Sequence, residues 1–583
     1  MSDLAPNVAL YFDPDGYIEP PRPTAPPNGS GGLMGRHVAG KEFLDAYFTH
    51  GGWDALTAVV RSRDRVEPLV ELCRTHPSSR AKRRRLQIVV EADLIARFAG
   101  DDRPADVLHT PCPPDARFAW MRQASAPTAF ALCGVTHTLC SPAGVNALCD
   151  LLTAPFEPFD ALVCTSRAVV EMVKAVTGSF ADYLRDRFGG SPALRPRLEL
   201  IPLGVNLARF CPATPDERAR TRKQLAVADD EVMVLCVGRL SHHAKTHPFP
   251  VFHAAQQAAH RSGRKVHLVF AGWAAHPAVG QEYRAAARYF APAARVSFVD
   301  GQNPAVRGAV WHAADAFISL PDNLQETFGL VVVEAMASGL PVVGSDWDGY
   351  RDLIADGETG FLVPTRMVRS ATATATSRLL FGQANYDHFL AECSQATAVD
   401  PGAAADALTR LVADAELRKQ MGAAARQRAV EHFGWERVIH AYETLWAEQR
   451  RELVRHRLAR APATGPVQYP APERSFVAYP SVWVDDTDRV QSASDATARL
   501  ASLLAMPLTN HAADRRCSDR VAITELLRGA AAPRMVGELA AALERAGIEP
   551  NAARATIAWL LKYGLLAVAE PDTPNSPPTP ETP

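Results

Sequence analysis

Long uninterrupted apolar runs are missing from this 583-residue chain, which excludes an ordinary membrane-spanning helix. One stretch, Ala124 to Cys149, carries no Asp, Glu, Lys or Arg, but Pro127, Pro142 and two glycines interrupt it, so it reads as buried strand, loop and helix. Paired cysteines are also missing. The ten cysteines are scattered with no CxxC and no Cys/His ligand spacing, which excludes a zinc site or a disulfide framework and fits reduced thiols in the cytoplasm. Net charge is nearly absent at -2, against a molecule that coats nucleic acid. The opening MSDLAPNVALYFD lacks the basic and apolar regions of an export signal, so a cytoplasmic location is expected. Lysine is scarce, which draws attention to each lysine beside a motif.

What is present is an α/β pattern, 47% hydrophobic and 22% charged, as in soluble globular proteins. Strand-like runs VALYF, LQIVV, DVLHT, FALCGVTH, ALVCTS and LELIPLG alternate with helical patterns up to about residue 205. VMVLCVG, VHLVFAG, RVSFVD, AFISL and PVVGS follow. Two doubly wound parallel sheets are predicted, with ligands at the carboxyl ends of the strands in the cleft between them. The expected divisions are 1–205 and 206–456, joined by the Gly- and Pro-bearing link 204–215. A Pro- and aromatic-rich strap or linker at 457–517 leads to a helical unit resembling a winged helix at 518–568 and a disordered tail at 569–583.

The chemistry concentrates in LPDNLQETFGLVVVEAMASGLPVVGSDWDGYRD. Glu326 falls in the loop after AFISL, and Glu334 lies seven intervening residues on, about a turn into a helix starting near Phe328 or Gly329. The helix start would aim the amides of Thr327, Phe328, Gly329 and Leu330 at an anionic or hydroxyl-rich ligand. Val331, Val332 and Val333 are poor helix formers, so burial has to hold them helical.

These residues resemble the Glu-x7-Glu segment of retaining GT-B glycosyltransferases of family 4, the group 1 glycosyl transferases. The resemblance covers about residues 8 to 450. It implies two Rossmann-like domains and transfer from a nucleotide diphosphate sugar, UDP- or GDP-linked, to a carbohydrate or small-molecule acceptor. It further implies front-face departure and attack, with no metal and no cofactor. In such enzymes the first Glu approaches hydroxyls of the donor sugar and the second holds the ribose; here those are Glu326 and Glu334. Arg239 and Lys245, following VMVLCVG, are implied on the diphosphate, where fixed cations offset the charge of the leaving group. Gly31 and Gly32 would close over the diphosphate, and His137 would stand near the transferred sugar, with His109 similarly placed. Trp435 would begin a helix crossing back onto the first domain.

The departures are Thr246 in place of a Gly, Asp346-Trp347-Asp348-Gly349 where a Gly-Gly pair is common, an insertion at 365–394, and everything after about 457. Other readings stay open: a catalytically silent scaffold or glycan-binding protein, or a phosphorylase or epimerase on the same fold. His242, His243 and His247 lack a carboxylate or Cys to complete a metal shell. The nearly balanced charge of 518–568 points to a protein partner or dimer contact in preference to nucleic acid. The run Arg80 to Arg85 is either a solvated loop or a contact for an anionic acceptor or the membrane periphery.

Overall fold

The structure, a computed structural model, describes residues 7–18, 35–52, 55–78, 85–99, 103–190, 192–459 and 465–569. Gly31, Gly32, residues 80–84 of the basic run and the tail beyond 569 lie outside the described residues. The chain divides into two compact units, 1–469 and 470–583.

The first unit holds two parallel sheets. Strands β1 (Val8–Phe12), β2 (Ala55–Val60), β3 (Arg85–Val90), β4 (Val107–Thr110), β5 (Ala131–Val135), β6 (Ala161–Cys164) and β7 (Arg197–Leu200) pair in the order β3-β2-β1-β4-β5-β6-β7. Strands β8 (Glu231–Val237), β9 (Lys265–Gly272), β10 (Arg295–Asp300), β11 (Ala316–Ser319), β12 (Val342–Ser345) and β13 (Gly360–Val363) follow the same winding, β10-β9-β8-β11-β12-β13. In each sheet the strand order reverses beside the first strand, which opens a crevice between β1 and β4 and another between β8 and β11. These strands are apolar because helices cover both faces: β4, β5, β6, β11 and β12 are buried along their whole length.

Two strands of these parallel sheets escaped the sequence reading. The run of β2, ALTAVV, has two alanines, yet five of its six residues are buried between β1 and β3. The four-residue β13 sits at a sheet edge. Short, alanine-bearing segments carry little strand propensity and are fixed by their neighbours.

The chain crosses between the sheets twice, at one place. Val205 pairs with Gly434 in an isolated bridge, its amide donating to the Phe433 carbonyl at 2.8 Å. A side chain at Gly204 would strike the Trp435 ring at 2.3 Å, so glycine is needed for this close approach. Beyond the crossing, the helix Trp435–Ala459 packs Trp435, Val438, Tyr442 and Trp446 into the core of the first sheet. Its buried Gln449 donates to the Leu132 and Phe159 carbonyls at 2.8 and 2.9 Å. Part of the first domain's core therefore comes from the far end of the unit's sequence.

The 365–394 segment is structured. A short antiparallel pair, β14 (Thr365–Met367) with β15 (Thr397–Val399), brackets the helices Ala375–Leu380 and Tyr386–Gln395. Ala375, Phe389, Leu390 and Cys393 bury against Ala244, with Leu324 and Cys140 alongside.

In the second unit, helices Arg520–Gly529, Val536–Arg545 and Pro550–Lys562 pack around Ile523, Leu527, Leu539 and Leu560. A three-stranded sheet completes it, with β16 (Arg489–Ser492) between β17 (Arg534–Met535) and β18 (Leu566–Val568). Val490, Ala496 and Leu500 belong to this core, so residues that composition placed in the linker are part of the small unit. Among the described residues no helix is long and apolar enough to cross a membrane.

Candidate active site

The crevice between β8 and β11 gathers the residues singled out in the second half of the sequence. Gly238 ends β8 with φ 151°, and its carbonyl lies where a side chain on Gly272 would stand, 2.0 Å away. This turn delivers Arg239, which is half-buried and makes no hydrogen bond or ion pair among the described residues. Burial lowers its pKa, opposed at longer range by Asp387 and Tyr283. A partly desolvated guanidinium without a partner is poised for an anion.

Lys245 follows in the same loop. Its Nζ donates to Glu326 Oε2 at 3.3 Å, and the Glu326 side chain keeps 18% exposure. Asn323 locks the two loops together: its side-chain amide donates to the Lys245 carbonyl, and its Oδ1 accepts from the Gln325 amide at 2.9 Å. Asp322 beside it accepts from the His247 amide at 3.3 Å, and burial pushes its pKa up to about 7. The His247 Nδ1 accepts from the Phe249 amide at 3.3 Å, and among the described residues no group of three His, Cys, Asp or Glu side chains is placed to hold a metal ion.

The helix after Glu326 runs Leu330–Ala337, starting one residue beyond the latest expected position. Gly329 caps it with φ 105°, and a Cβ there would meet the Tyr350 ring at 2.4 Å. The close approach that needs this glycine is therefore to a protein ring. Val332 and Val333 are fully buried, which explains how β-branched residues are held helical. Phe328 is buried, and the Thr327 carbonyl accepts from Ser166 Oγ of the first domain at 2.7 Å. The same junction carries Arg167, whose backbone amide and Nε donate to Asp352 at 2.7 and 2.5 Å.

Glu334 lies inward on this helix. Its pKa is pushed up to about 8, first by burial and then by the charge of Glu42, with Arg209 and Arg307 opposing. Glu42 comes from the first domain, on the helix Gly35–His50. Both its carboxylate oxygens are buried without a hydrogen bond, and Arg209 stands 3.6 Å away. Two carboxyls from opposite domains therefore share one arginine, an arrangement visible only once the chain is folded.

The first-domain histidines separate. His137, just beyond β5, is half-buried with Nε2 at 2.8 Å from the Pro111 carbonyl. His109 is fully enclosed in β4, stacked on Phe43 at 5.1 Å and edge-on to Tyr442 and Trp446. Burial, aided by His137, holds its pKa down to about 3, so it is a neutral core residue.

Two residues near Glu326 were missed as site candidates. Tyr386, from the 365–394 segment, places its hydroxyl 3.0 Å from Cys140 Sγ and 3.3 Å from Gln325 Nε2, joining both domains. Asp348 sits in the turn after β12 with φ 40°. Its departure from a Gly-Gly pair was the one available signal.

Two doubly wound sheets of the same winding, joined by paired crossings and capped by a returning helix, define the GT-B class of fold. Residues 217–392 match the family described as Glycosyl transferases group 1. The chain is 29% identical over 257 residues to the D-inositol 3-phosphate glycosyltransferase of Corynebacterium efficiens, covering 43% of this chain and 51% of that protein. It is 29% identical over 293 residues to the alpha-maltose-1-phosphate synthase of Mycolicibacterium smegmatis, covering 50% of this chain and 65% of that protein. The matches span about half the length of these relatives. Among solved structures, Anabaena Alr3699/HepE in complex with UDP aligns at 16% identity with a TM-score of 0.45, over 69% of this chain and 95% of that one.

Proposed function

We propose that the chain transfers a sugar from a nucleotide diphosphate donor, UDP- or GDP-linked, to a carbohydrate or small-molecule acceptor, retaining the anomeric configuration. The observation that carries this reading is the juxtaposition of Arg239 and Lys245 at the end of β8 with Glu326 after β11. When the glycosidic bond breaks, negative charge grows on the diphosphate oxygens. The unpaired Arg239 guanidinium can take up one such oxygen, and Lys245 can turn from Glu326 to another. Fixed cations in a partly desolvated crevice supply this stabilisation without a metal or other cofactor. Glu326, freed from Lys245, accepts from hydroxyls of the donor sugar. Glu334 accepts from the ribose, and His137 lies on the acceptor side.

In this reading no side chain among the described residues serves as a nucleophile, and the leaving group departs from the face the acceptor attacks. Positioning and electrostatics then supply the rate. A reducing, cytoplasmic setting is part of this reading. The helical region 518–568 is read as a surface for a protein partner or a second copy.

The test is transfer by the purified chain from UDP- and GDP-sugars, with product anomericity read by proton NMR. An inverted product, or nucleotide release only when Mg or Mn is supplied, would overturn the reading.

A further inference from the structure

Asp348 is strained, half-buried and only partly satisfied. Its φ of 40° is a backbone conformation that side chains other than glycine rarely adopt. One carboxyl oxygen accepts from the Tyr350 amide at 3.2 Å, and the other is enclosed with no hydrogen-bond partner in the protein. Both features cost stability, and a glycine here would remove both.

The turn carrying Asp348 is pressed against the loop that carries Glu326. Trp347 Nε1 donates to the Asn323 carbonyl at 2.9 Å, and a side chain on Gly349 would meet the Thr327 and Phe328 carbonyls at 2.7 Å. Burial and the neighbouring charge of Glu326 raise the Asp348 pKa well above the usual carboxyl value, with Lys245 opposing. Two neighbouring acids on adjoining loops can engage adjacent hydroxyls of one polyhydroxylated ligand.

We propose that Asp348 is a second contact for the donor sugar, engaging a hydroxyl adjacent to the one that Glu326 holds, and so helps select which sugar is transferred. The proposal rests on the glycosyltransferase reading above and deepens it. The strained acid is retained because a sugar hydroxyl completes its hydrogen bonding, and the nucleotide portion of the donor makes no use of it.

The test compares the full chain with Asp348→Gly, which relieves the backbone, and Asp348→Asn, which keeps a hydrogen-bonding side chain of the same shape. Calorimetry without acceptor measures binding of UDP and GDP, and then of UDP-glucose, UDP-N-acetylglucosamine and GDP-mannose. The expected result is that Asp348→Gly weakens the preferred nucleotide sugar about tenfold, the loss of a hydrogen bond to a desolvated acid, and leaves the free nucleotide within about twofold. Asp348→Asn should recover most of that loss, and the melting temperature of Asp348→Gly should match or exceed that of the parent. Equal weakening of nucleotide and nucleotide sugar would make Asp348 a purely structural residue and overturn the proposal, as would unchanged affinity for every sugar. Failure of the parent chain to bind any of the nucleotides would instead overturn the glycosyltransferase reading, and this proposal with it.

Discussion

At β4, the fourth strand of the first sheet, His109 is enclosed by Phe43, Tyr442 and Trp446, whereas beyond β11, the fourth strand of the second, Glu326 keeps part of its surface open and meets Lys245. The two sheets wind identically, so topology offers both a crevice. What differs is what fills it. The helix Trp435–Ala459 lays aromatic side chains beneath the first crevice, and this packing holds His109 neutral. The second crevice receives short polar loops whose charges are only half-paired. One winding thus yields a packed support on one side and a reactive surface on the other, according to what the rest of the chain brings to it.

The sharpest way to break this comparison is to remove the cations of the second crevice. Arg239→Ala and Lys245→Ala should each lower turnover by about 10²- to 10³-fold, with smaller effects on donor binding, because charge on the leaving group is greatest in the transition state. As both act on one diphosphate, the double variant should lose less than the sum. Steady-state kinetics check this, and a loss confined to the Michaelis constant would remove either residue from the reaction centre.

On the other side, His109→Ala should cost about 2 to 4 kcal/mol of stability through the cavity it leaves, read by denaturant unfolding. The histidine also makes the first domain acid-sensitive. Its folded pKa of about 3 lies below the ordinary 6.5, so its contribution is fully present above 6.5 and is lost as pH falls from there towards 3. The slope is at most about 1.4 kcal/mol per pH unit. A His109→Ala variant that folds normally yet abolishes turnover would erase the distinction between the two crevices.

Glu334 sharpens the comparison from the opposite sign. Its folded pKa of about 8 lies above the usual 4.5, so stability is highest below 4.5 and falls as pH rises through 8. Ribose hydroxyls that donate to the charged form should draw protons off, so nucleotide binding at pH 7 should release protons, measurable by calorimetry in buffers of different ionisation enthalpy. Glu334→Ala should weaken nucleotide binding by about 1.5 to 3 kcal/mol and abolish that proton release. Unchanged affinity would place Glu334 outside the site. The smallest effect is expected from EDTA, which should leave turnover unaltered where Arg239 and Lys245 do the work of a cation.

Much of the second domain was legible in the sequence. Strands β8 to β12 follow compact β-branched runs, and Glu326, Glu334, Arg239 and Lys245 lie near strand ends or one turn into a helix, where local pattern fixes position. The first domain was less so. β2 shows only ALTAVV, and Gly31 and Gly32 lie outside the described residues. His109 and His137 look alike in sequence, each at the end of an apolar run, and only the aromatic side chains arriving from residues 435–446 tell them apart.

The sequence by itself determined the two alternating α/β halves, the crossing near residue 205 and the acid-bearing loop and helix at 326–337, because each depends on periodicity, turn residues and neighbours a few positions away. Tertiary structure alone decided that the charge of Glu42 acts on Glu334, that Tyr386 joins Cys140 to Gln325, and that Asp348 stands strained beside Glu326. Those partners come from separate stretches of chain, and no local pattern encodes the burial that gives their charges and hydrogen bonds their effect.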